Sequence, residues 1–261
     1  TADTTSAAAA AESGFVVLST GKAIKGNSGA LFIGSGTAIS GRAGAVYVSV
    51  GSASSGSGGE LQLIAGTSSF STGGRLTLMT GTGTGAGSSS GALLLQTANA
   101  GLSGVTGLIA LSTGSSTQGN SGAVMIGSGV ATTGRGGSLY ITVGSGNSGT
   151  GGEVVLIGGL SSTTSGGRIS IVTGSGSATS SGQLLLRTAD GGAAGESGLM
   201  VLSTGTTTKG NSGAMFISSG NAISGRAGTV YVSVGTGNSG SGGDLMLNGG
   251  TSSGGTGGMI T

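Results

Sequence analysis

Gly29-Ala30-Leu31-Phe32-Ile33-Gly34-Ser35-Gly36-Thr37-Ala38-Ile39-Ser40-Gly41-Arg42-Ala43-Gly44 is one full period of this chain, from one landmark glycine to the next. The landmark returns at Gly14, Gly29, Gly44, Gly59, Gly74, Gly91, Gly107, Gly122 and Gly137. It continues at Gly152, Gly167, Gly182, Gly198, Gly213, Gly228, Gly243 and Gly258. The step is 15 residues, lengthened to 16 or 17 only around Gly91, Gly107 and Gly198. A short fixed period is the mark of a solenoid, where each repeat stacks on its neighbours.

Each unit is numbered here from its landmark glycine as zero. Positions +2 and +4 are aliphatic throughout, as in Val16/Leu18, Leu31/Ile33, Val46/Val48, Ile109/Leu111 and Met215/Ile217. A spacing of two puts both side chains on one face of a strand. A further glycine at +7 (Gly21, Gly36, Gly51, Gly66) is expected where the strand bends, because glycine tolerates positive φ. The predicted fold class is all-β: a parallel β-solenoid, or β-helix, of about 17 coils of ~15 residues. Coils ~4.8 Å apart would make a rod of roughly 80 Å.

A longer period lies over the short one. Lys25-Gly26-Asn27-Ser28-Gly29 recurs as Gln118-Gly119-Asn120-Ser121-Gly122 and as Lys209-Gly210-Asn211-Ser212-Gly213, 93 and 91 residues apart. Tyr47, Tyr140 and Tyr231 follow it, as do Arg42, Arg135 and Arg226. The expected organisation is a partial coil at 1–12, then one continuous solenoid at 13–261 with six-coil superrepeats at about 13–105, 106–196 and 197–261. Thr1-Ala2-Asp3 matches Thr188-Ala189-Asp190 in mid-unit, so the sequence reads as a window of a longer array.

Units of the form SGxLxxSTGxxxxGNSGAxxIGSG, in sets of six from Ser13 to Gly258, resemble long Gly/Ser/Thr-rich pentadecapeptide-repeat proteins of algae and related protists. The resemblance implies a long, extracellular, structural array and brings no catalytic or binding residue with it.

Composition narrows the functional classes. Among 261 residues, 64 are Gly, and there is no Pro, Cys, His or Trp. Glycine this frequent, without Pro or a three-residue period, is not collagen. Nine basic and seven acidic residues give a charge of +2, with none of the clustering that nucleic-acid binding needs. No apolar run approaches the ~20 residues of a membrane span.

Catalytic and ligand motifs fail one by one. Zinc and copper sites lack His and Cys, and calcium β-rolls need far more Asp than Asp3, Asp190 and Asp244. Gly144-x-Gly146-x-x-Gly149 and Gly235-x-Gly237-x-x-Gly240 match a dinucleotide fingerprint, but no helix-period segment follows either one. A glycosidase pair needs two carboxyls within ~10 Å, whereas Glu60 and Glu153 are six units apart. Asp190 and Glu196 lie in a stretched junction without an acid–base partner. The expectation is a protein that is not an enzyme and takes no cofactor or metal.

The informative surface is the +3 row, which is apolar in most units. Val17, Phe32, Tyr47, Met125, Tyr140, Val155, Val201, Phe216, Tyr231 and Met246 are the candidate lateral contacts. An apolar stripe on an outward face is normally an interaction surface. The expected partner is therefore the chain itself, as homo-oligomer or filament, or another solenoid chain. At +1, Glu60 and Arg75 occupy successive units, as do Glu153 and Arg168, and these are candidate inter-coil charge pairs.

The resulting expectation is a structural building block of an extracellular or cell-surface filament, hair or sheath. Two alternatives stand beside it. A hydroxyl row at +8 (Thr37, Ser52, Thr67, Thr82) would suit ice binding, but Lys22, Val130, Leu160 and Asp190 interrupt it. The array could also be the stalk of an adhesin or viral fibre. The Ser/Thr-rich turns are candidates for O-linked glycans, and no Asn-x-Ser/Thr sequon is present.

Overall fold

The computed structural model describes residues 13–261. The described backbone divides into two units, one ending at Gly127 and the other Ser128–Thr261, and the partial coil expected at 1–12 lies outside the described residues. The expected fold is overturned: the described residues contain neither helix nor β-strand, so the chain is not an all-β solenoid or β-helix. The rod length, derived from ladder spacing, falls with it.

The 15-residue period is nevertheless written into the backbone as one sharp bend per repeat. In the first unit the bends are at 24–26, 39–41, 54–56, 69–71, 85–87, 102–103 and 117–119. In the second they are at 132–134, 147–149, 162–164, 177–179, 193–195, 208–210, 223–225, 238–240 and 253–255. They sit ten to twelve residues after the landmark glycine, or one residue later in the lengthened repeats that start at Gly74 and Gly182.

Beyond the bend the chain returns upon its own repeat. In the first unit Gly74 N–H donates to the Gly66 carbonyl (2.7 Å) and Gly91 N–H to the Gly81 carbonyl (3.0 Å). In the second, Gly167 donates to Gly159 (2.8 Å), Gly182 to Gly174 (2.9 Å) and Gly258 to Gly250 (2.7 Å). Side chains add the same closure: Ser35 Oγ donates to the Gly44 carbonyl (2.6 Å) and Thr113 Oγ1 to the Gly122 carbonyl (3.3 Å). These bonds close loops of one repeat. A solenoid needs the same kinds of groups to pair with the neighbouring repeat, strand on strand. These closures engage only a few backbone groups; the ladder is missing among the described residues because the repeat buries too little apolar surface to offset the entropy of ordering a glycine-rich backbone.

The landmark glycine has a steric role in this closure. A Cβ at Gly44 would stand 3.2 Å from Ser35 Cβ, and one at Gly243 would stand 3.0 Å from Val234 Cγ1. At Gly59 and Gly152 it would collide with the Cγ1 atoms of Val50 and Val143. At these landmarks the +6 residue of the preceding repeat lies against the glycine, whereas at Gly74, Gly167 and Gly258 the backbone of the +7 glycine does.

The left-handed glycines are elsewhere than expected. They are Gly26, Gly41, Gly56, Gly87, Gly149, Gly210, Gly225 and Gly240, with φ between 78° and 145°. All belong to the bends, and Gly21, Gly36, Gly51 and Gly66 at +7 are not among them. Where the bend lacks such a glycine, a hydroxyl at +9 often caps it. Ser68 Oγ accepts from Ser71 N–H (3.0 Å), Ser116 Oγ from Gly119 N–H (3.0 Å) and Ser161 Oγ from Thr164 N–H (3.0 Å).

No described side chain is buried. The chain exposes 25906 Å². A folded monomer of this length would expose about 10,000 Å² and its fully extended chain about 35,000 Å². Two aliphatic side chains per repeat, half shielded, supply little against the entropy of ordering a glycine-rich backbone.

Candidate interaction surface

Strand-like alternation survives without strands. Leu31 at +2 keeps 50% of its surface, Phe32 at +3 keeps 90% and Ile33 at +4 keeps 70%. The order recurs at Val46, Tyr47 and Val48 and at Met215, Phe216 and Ile217. The +2 and +4 side chains are partly shielded and the +3 side chain points away from that shelter.

The ten candidate contacts are therefore all on open surface. Phe32, Tyr47, Met125, Tyr140, Phe216 and Tyr231 are 84–93% exposed. Val17, Val155, Val201 and Met246 are exposed to a lesser degree. No element brings them into one pocket, and the described residues enclose none. Glu60, Arg75, Glu153 and Arg168, at the +1 position, are exposed as well.

Two features went unread in the sequence. One is a shift of the apolar row. In the repeats whose +1 residue is Glu60, Arg75, Glu153 or Arg168, the exposed apolar residue also appears at +5, as Ile64, Met79, Ile157 and Val172. Elsewhere +5 is mostly Ser or Gly, so a tally of +5 by repeat would have found it. The other is apolar bend tips: Ile39, Phe70, Leu102 and Ile223 are fully exposed. Their segments read as small and polar, which hid them.

Among the described residues no group of three His, Cys, Asp or Glu side chains could hold a metal ion. No helix of the described residues is long and apolar enough to cross a membrane. No protein family, curated protein or solved structure matches the chain.

Proposed function

We propose that the chain is a structural building block that associates laterally with copies of itself in an extracellular or cell-surface filament, hair or sheath. One observation carries this reading. The large apolar side chains stand in water at a fixed interval, with no core among the described residues. Exposed apolar surface of this extent is an association surface. Removing it from water is worth ~25 cal/mol per Å², so neighbouring copies supply the burial that a single chain lacks.

Periodicity is what makes this a building function rather than the binding of one ligand. A pattern repeated every 15 residues, and again every 91 to 93, offers the same contact many times along the chain. Many weak equivalent contacts raise overall affinity by effective concentration. The resemblance to Gly/Ser/Thr-rich repeat arrays supports the same reading and the location outside the cell.

The test is sedimentation of the purified chain over a wide concentration range, beside a variant with Phe32, Tyr47, Tyr140, Phe216 and Tyr231 changed to Ser. Concentration-dependent association that the variant loses supports the proposal. A wild-type chain that stays monomeric throughout overturns it.

A further inference from the structure

We infer that association starts at three tyrosine runs, 45–50, 138–143 and 229–234, each pairing backbone to backbone and in register with the same run of a second copy. This rests on the self-association proposed above and names its contact.

The sequence singles these runs out first. They read Ala-Val-Tyr-Val-Ser-Val, Ser-Leu-Tyr-Ile-Thr-Val and Thr-Val-Tyr-Val-Ser-Val, at the same place in each superrepeat. Four or five of the six residues in each are β-branched or aromatic, and none is Gly, Pro or charged. Such residues fit a pleated, half-buried surface. Short neutral segments of this kind, left exposed, are the ones that stack between chains. Position +6 is valine only here; in the other complete repeats it is Thr, Ser, Ala or Gly.

The structure singles out the same repeats. Val50, Val143 and Val234 are the most shielded large apolar side chains among the described residues, at 43–45% exposure. Each stands against the next landmark glycine, Gly59, Gly152 or Gly243. Tyr47, Tyr140 and Tyr231 stand open in the same runs. Within the described chain no N–H or C=O of these runs makes a backbone hydrogen bond. Each run therefore offers a second chain the row of donors and acceptors that an edge strand would. The strands belong to the assembly and not to the single chain.

Charge selects the identical run as occupant. In-register pairing lays every side chain on its own copy, so a charged residue would meet its own charge, which is destabilising. That penalty falls on the runs carrying Glu60, Arg75, Glu153 and Arg168 and spares the tyrosine runs. The nearest charges, Arg42, Arg135 and Arg226, lie three residues before each run. Stacked tyrosine rings add to the contact. One displacement of the second copy sets all three runs on their equivalents at once, because both copies share one internal arrangement.

These are the only three tyrosines in the chain, so tyrosine labelled with heavy carbon at the carbonyl marks these runs and nothing else. Infrared spectra of the full chain are recorded over a concentration series, labelled alone and diluted into unlabelled chain. On association the labelled amide band should move to lower frequency. Dilution should move it back, because the in-register neighbours then lack the label. A shift that dilution leaves unchanged means pairing within one chain or out of register, and overturns the inference. Association without any shift means contact through side chains alone, which overturns the inference and leaves self-association intact. Failure of the wild type to associate in sedimentation removes both this inference and the reading beneath it.

Proline supplies an independent check, since it removes the N–H that a paired run needs. Val48→Pro, Ile141→Pro and Val232→Pro together should raise the concentration needed for association about tenfold or more. Ile33→Pro, Ile126→Pro and Ile217→Pro, at the same +4 position of the neighbouring repeats, should raise it no more than about twofold. Equal effects of the two sets would mean that the tyrosine runs have no priority, and would overturn the inference.

Discussion

At the scale of the residue, many of the bends are made in one of two chemically different ways. Gly26, Gly41 and Gly56 turn the chain with a left-handed backbone, and the +9 residues before them are Ala23, Ala38 and Ala53. Around 69–71 and 162–164 the turn is held instead by Ser68 and Ser161, whose hydroxyls accept backbone N–H groups. Ser and Thr caps of this kind imitate a backbone turn. Ser103 has neither device and is the one non-glycine residue with positive φ among those described, at 62°. A left-handed conformation costs an ordinary residue roughly 1–2 kcal/mol. Ser103→Gly should therefore firm the 102–103 turn, seen as slower amide exchange at Gly104, whose N–H donates to the Gly101 carbonyl at 3.2 Å. Faster exchange there would count against the strain. Conversely Ser68→Ala should free the N–H groups of Phe70 and Ser71 and loosen that bend by ~1 kcal/mol, read from the same exchange measurement.

At the scale of the repeat, the contact between the +6 side chain and the next landmark glycine organises the unit. It is tightest where +6 is valine, at Val50 against Gly59 and Val143 against Gly152. Gly59→Ala places a methyl group where Val50 already stands, so one must move. Nuclear Overhauser contacts between Val50 and residue 59 should weaken in this variant. The companion change Val50→Ala should restore the approach, because the two substitutions share one space and their effects do not add. Additive effects would mean that the two residues do not meet. This contact also marks the limit of what the sequence made legible. The spacing of glycines gave the bend interval, and the aliphatic pairs gave the alternation that separates Leu31 from Phe32. The destination of the backbone hydrogen bonds was not legible. A landmark glycine that admits the +6 residue of its own loop and one that admits a neighbouring coil leave the same trace in a sequence. Gly21 and Gly26 are equally permissive residues, and only their place relative to the bend decides which one takes positive φ. The candidate contacts were legible as residues because +3 was apolar. The step of the apolar row to Ile64 and Met79 was not legible in the +3 pattern, because it falls at +5 and only in the repeats with a charged +1 residue.

At the scale of the whole molecule, backbone satisfaction and surface exposure are parts of one problem. A chain that exposes 25906 Å² keeps most of its amides in contact with water. Exchange should then be fast along the dilute chain, with the local donors Gly74, Gly91, Gly167, Gly182 and Gly258 slower than their neighbours. Association changes the balance, since water leaves the apolar row when copies meet. Protection should spread with concentration to runs such as 30–33, 45–48 and 214–217, where Phe32, Tyr47 and Phe216 stand outermost. The bend tips at 39–41 and 223–225 should stay fast in both states, because they are not part of that row. Hydrogen exchange followed by mass spectrometry over a dilution series measures both states in one sample. Protection that begins at the bends would move the contact to Ile39 and Ile223. A pattern identical at every concentration would mean that the apolar row never leaves water.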